Sequence, residues 1–110
     1  MAKTWKPVFS VWGGGTSELL RLKDSRVRVV RACSALLNDP VSSNHPKEVP
    51  LPAGRIGLLT EARMDDIFIG FPNSATVQVT TREALLRAPG GIFGVRVNWP
   101  TFKTQFELEV

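Results

Sequence analysis

The chain has one cysteine and one histidine among its 110 residues, and each scarcity removes a class of protein. A single thiol, Cys33, forms no internal disulfide, so the fold is not a disulfide scaffold. Set among aliphatic neighbours, it reads as a small buried hydrophobe in a protein made in a reducing compartment. One histidine and one cysteine do not make a typical zinc site. His45, between Asn44 and Pro46, would serve Cys33 as a base only if the fold joined them. The chain is therefore expected to be no enzyme, to hold no metal and to need no cofactor. Long apolar runs are also missing. Nothing approaches the roughly 18 residues needed to cross a bilayer, and the stretch from Met1 to Pro7 lacks the apolar core of a signal peptide. The expected location is the cytoplasm or a virion, without membrane and without secretion.

What is present is enough for a core. At 43% hydrophobic residues, the chain is expected to form one compact β-rich domain over 1–110, with no need of staples. Its net charge of +4 is unevenly placed: nine basic and four acidic residues run to Arg55, five basic and six acidic beyond it. The cationic character belongs to the first half, which points to a local patch.

Period-two alternation dominates. Phe93, Val95, Val97 and Trp99 alternate with small or polar residues, as do Phe102, Thr104, Phe106, Leu108 and Val110, so residues 93–110 predict a hairpin turning at Pro100-Thr101. Ile67, Ile69 and Phe71 predict a second hairpin with Ala75, Val77 and Val79 through Pro72-Asn73-Ser74. Ile56 to Ala62 joins it through Asp65-Asp66, with Ala62 opposite Ile69. Trp5, Pro7, Phe9 and Val11 mark one face of a first strand, Pro7 indicating an edge or a strand start.

One helix is signalled near residues 81–88, where Thr80 and Glu83 resemble a capping box and Pro89-Gly90-Gly91 stops the helix. The proline-rich stretch 40–54 is the longest irregular segment, either functional or a crossover. Gly13-Gly14-Gly15 lacks the spacing and lysine of a phosphate-binding loop and reads as a flexible connection. Seven to eight short strands with one short helix imply an antiparallel β-sandwich or an open barrel.

The chemically suggestive segment is Ser17 to Cys33. If Asp24 and Ser25 form a two-residue turn, Lys23 faces Arg26 and Arg21 faces Arg28, with Leu22, Leu20, Val27 and Val29 on the reverse. A helical stripe through Leu19, Leu22, Val29 and Cys33 competes with this register. Arg21, Lys23, Arg26, Arg28 and Arg31 would present forked donors to phosphate oxygens, and the expected partner is RNA or single-stranded DNA. Acids from another strand would neutralise the same face. Trp12 and Val8 are candidate interface residues, on the strand face opposite the main apolar set, and imply a homo-oligomer; Trp12 and Phe68 are stacking candidates. The function expected is a nonenzymatic, self-assembling nucleic-acid-binding protein. The alternative is a structural or adaptor module of the viral or phage assembly type, acting through protein contacts alone.

Overall fold

A computed structural model gives the fold and describes residues 3–13, 15–38, 47–63 and 66–110. It is mainly β, as the alternation requires. The eight strands are β1 (Trp5–Pro7), β2 (Arg26–Val29), β3 (Cys33–Leu37), β4 (Glu48–Leu51), β5 (Ile56–Ala62), β6 (Asp66–Pro72), β7 (Ile92–Asn98) and β8 (Phe106–Glu109). They form one antiparallel sheet, curled into a half-barrel, in the order β1-β8-β2-β5-β6-β7-β3-β4. Four short helices accompany it: α1 (Val8–Val11), α2 (Thr16–Leu20), α3 (Arg82–Leu86) and α4 (Trp99–Gln105).

The curl follows from chain length. β2 and β3 lie four places apart in the sheet, about 19 Å if it were flat, yet the four Cα steps from Val29 to Cys33 reach at most about 14 Å. β4 and β5 are likewise four places apart and joined by Pro52 to Arg55. Both links must therefore cross one end of a bent sheet. The crossing is visible in the hydrogen bonds: Gly54 N–H donates to Val29 O at 2.7 Å, and Val29 N–H to Arg55 O at 2.9 Å. Gly54 makes this turn at φ 93°, a backbone that suits glycine.

Alternation decides which side chains fill the concave face. Val27 and Val29, Leu59, Ile67, Ile69 and Phe71, Val95 and Val97, Phe106 and Leu108 are all buried there, with Val8, Trp12, Leu19 and Phe102 of the helical segments closing over them. A smaller cluster of Leu58, Val79 and Leu85 forms on the convex face beneath α3. That helix matches the expected position, but its cap is Thr81, whose hydroxyl accepts from Ala84 N at 3.1 Å, one residue later than the Thr80 cap.

Several expected pairings are overturned. Residues 93–110 form no hairpin: Asn98 caps α4 by accepting from Thr101 N at 2.9 Å, Pro100 sits in the first turn, and Phe102 is buried. The tight hairpin turns favoured between strands need positive φ in the turn, which proline at the first position cannot adopt. β7 pairs instead with β6 along seven residues, from Asp66 opposite Asn98 to Pro72 opposite Ile92. This longer match displaces the 75–79 segment, whose Val79 packs with Leu58 and Leu85. The β5–β6 pairing is as expected with the register moved, Ala62 facing Ile67.

The first strand stops at Pro7, an edge as the proline suggested, and the chain turns into α1. The Ser17–Cys33 hairpin is also absent. Thr16–Leu20 is helical, burying Leu19, and of that segment Arg26–Val29 pairs within the sheet as anticipated for a strand, Cys33 opening β3.

Two close approaches have unequal tolerance. A Cβ at Gly70 would meet the Leu85 Cδ2 methyl at 2.9 Å, the end of a side chain that can move. At Gly57 it would strike the Gly70 carbonyl oxygen and the Phe71 ring. Gly57→Ala should lower the urea midpoint well beyond Gly70→Ala, by roughly 1–3 kcal/mol of overpacking. Equal midpoints would contradict the packing of β5 on β6.

Candidate nucleic-acid interface

The five expected cations do not share a face. Arg21 ends α2 and Lys23 lies in the following turn, both exposed; Asp24 there has φ 69°. Arg26 and Arg28 point to the convex side of β2, and Arg31 lies in the β2–β3 link.

β8, inserted between β1 and β2, determines the electrostatics. Its alternation buries Phe106 and Leu108 and turns Glu107 and Glu109 outward, so Arg28 faces Glu107 directly. Arg28 donates to both Glu107 oxygens at 3.1 and 3.2 Å, and Arg26 to Glu109 at 3.0 Å. The two guanidinium groups also lie over the Trp5 ring, at 4.5 and 5.4 Å from its centroid. Opposed charges across strands stabilise where the imagined hairpin would have set cation against cation. These two arginines are thus already matched by carboxylates.

Trp12 and Val8 are not interface residues. Both are buried, at 1% and 0% exposure, because α1 sets them four residues apart on one helical face. Trp12 Nε1 donates to Gly15 O at 2.8 Å, and its ring packs edge-on against Trp99 and Phe102. The same helical turn pushes Phe9 outward, to 67% exposure. Phe68, the other stacking candidate, is half-buried beneath the Arg63 guanidinium. His45, Gly14 and Asp65 lie outside the described residues, so neither the Cys33–His45 pairing nor the Asp65 turn is placed. Burial pushes the Cys33 thiol above its ordinary pKa, which suits an inert side chain better than a nucleophile.

Around Phe9 the chain assembles an unforeseen site. A cleft of about 310 Å³ runs between α1, the start of the β2–β3 link and the end of α4, lined by Phe9, Val30, Arg31, Lys103, Pro7 and Glu107 among others. Val30, at the end of the β2 alternation, is 43% exposed. The link is held by Val30 N–H donating to Gln105 O at 2.7 Å, which places Arg31 beside α4. Lys103 projects its ammonium 5.7 Å from the Trp12 ring centroid. Glu107 is engaged by Arg28, and neither Arg31 nor Lys103 has an ion-pair partner among the described residues. The cleft thus joins exposed apolar surface to two unmatched cations. Of its members only Arg31 was anticipated. The available signal for Phe9 was the helical spacing of Val8 and Trp12.

Among the described residues no group of three potential ligands could hold a metal ion, and no helix is long and apolar enough to cross a membrane. No protein family, curated protein or solved structure matches the chain.

A double-mutant cycle on Arg28→Gln and Glu107→Gln should give a coupling of about 0.5–1 kcal/mol in thermal or urea unfolding, shrinking as salt is raised. Zero coupling at low salt would separate the two side chains.

Proposed function

We propose that the protein is a nonenzymatic binder of single-stranded nucleic acid, RNA or DNA, through the Phe9 cleft. The observation that carries this reading is Phe9, a phenyl ring two-thirds exposed in a cleft shared with two cations that lack carboxylate partners among the described residues. An aromatic ring stacks with any base and cations hold the adjoining phosphates, a combination that tracks single strands with weak sequence preference. The chain's net charge of +4 adds long-range attraction to a polyanion.

The second reading is an assembly or adaptor module, favoured by the matching of Arg26 and Arg28 to carboxylates. Self-assembly by strand addition is disfavoured in either case. The edge strands β1 and β4 carry Pro7 and Pro50, which have no N–H to offer another strand. Contact between copies would have to use faces of the sheet.

The test is fluorescence anisotropy with a labelled oligothymidylate over a salt series. The parent should bind with log K falling linearly in log salt. Phe9→Ser should weaken binding by about 1–3 kcal/mol, and Arg31→Gln with Lys103→Gln should lower the slope by about 0.7 per cation. Arg21→Gln, outside the cleft, should leave the slope nearly unchanged. Unaltered binding by the Phe9 and Arg31/Lys103 variants, or no binding by the parent at low salt, would turn the assignment to protein contacts.

A further inference from the structure

A second cleft, of about 260 Å³, opens where β5 begins and β6 ends, walled on its far side by the 75–79 segment. Two arginines line it, Arg26 and Arg55, and no carboxylate does. The Phe9 cleft includes Glu107, and the cleft that holds Arg96 includes Glu48 and Asp66. Arg26 spends one amino group on Glu109. Arg55 has no carboxylate partner among the described residues. One of its amino groups donates to the Pro72 carbonyl, and its central carbon lies over Phe71 and Phe93, at 5.8 and 5.7 Å from the ring centroids. The stacking and this hydrogen bond fix a guanidinium that still carries further N–H donors and an unmatched charge. The opposite wall has donors of its own. The segment joins no strand; the Thr76 amide and hydroxyl and the Val77 amide bond to Ser74, and the exposed Gln78 side-chain amide supplies the donor on this wall.

We infer that this cleft is an anion site that takes a phosphate group, held by Arg55 and Arg26 on one side and by the 75–79 segment on the other. Fixed, forked donors facing the Gln78 side-chain amide match the tetrahedral oxygens of phosphate, which a lone exposed lysine would not orient. The site shares no lining residue with the Phe9 cleft and does not depend on it. Its phosphate could belong to a small phosphorylated molecule or to a nucleic-acid backbone.

The experiment is a ¹H–¹⁵N NMR titration of the whole chain with inorganic phosphate, at ionic strength held constant with sodium chloride. The expected result is saturable shifts of the amides of 75–79 and Gly54 and of the Arg55 Nε–H. Gln78→Glu, a substitution at an exposed rim position, should weaken this binding at least tenfold without changing the melting temperature; Gln78→Lys should retain it. Shifts reproduced by chloride alone, or equal binding by Gln78→Glu, would overturn the site. Titrating oligothymidylate into Phe9→Ser then distinguishes the sources. Shifts of the same resonances, reversed by phosphate, assign the site to backbone phosphate; shifts with inorganic phosphate but not the oligomer assign it to a small phosphorylated molecule.

Discussion

Two short connections that cross one end of the sheet dictate the rest of the structure. Three residues join β2 to β3 and four join β4 to β5, although each pair stands four places apart in the sheet. The sheet can satisfy both only by curling until these ends meet. The meeting point is secured by the reciprocal bonds of Val29 with Gly54 and Arg55, and by Arg55 donating to the Pro72 carbonyl over the Phe71 and Phe93 rings. Curling also creates the concave face in which Phe71, Phe102, Phe106 and Trp12 are buried. A flat sheet of the same strands would leave that surface wet.

The curl has an electrostatic consequence. With β5 already on one side of β2, the other side is open to the last strand, and β8 enters it between β1 and β2. Thr4 and Val110 then exchange backbone bonds at 2.8 and 2.9 Å, tying together positions near opposite ends of the sequence. The acids of β8 fall opposite the arginines of β2, and the cationic face suggested by local sequence is converted into an ion-paired surface. Positive charge without a carboxylate partner among the described residues is left in two places: at Arg31 and Lys103 beside Phe9, and at Arg55 in the second cleft. Pairing over such sequence distances must close large loops before it is rewarded, so folding should be slow for a chain of this size.

Period two was sufficient to recognise the strands at Arg26–Val29, Ile56–Ala62, Asp66–Pro72 and Ile92–Asn98, and hence the β class. It could not identify partners. Phe93 to Val97 alternates equally well against Phe102 to Val110 or Ile67 to Phe71, and only the helix begun by Asn98 and Pro100 decides between them. The same ambiguity hid the site. Trp12 and Val8 lie on one strand face as readily as on one helix face, so reading Trp5 to Val11 as a continuous strand exchanged the buried and exposed aromatics. The arginines of β2 were correctly seen as outward, but their neutralisation depends on a strand some eighty residues away, which no local pattern encodes.

The fold is defined by which strands are neighbours, and backbone NOEs in a uniformly labelled sample measure this directly. Cross-strand contacts are expected between Ile69 and Val95 and between Val27 and Leu108, together with a contact from the Gly54 amide to Val29. Contacts between Val95 and Phe106, or between Arg21 and Arg28, would instead restore the two local hairpins and contradict the crossed, curled sheet.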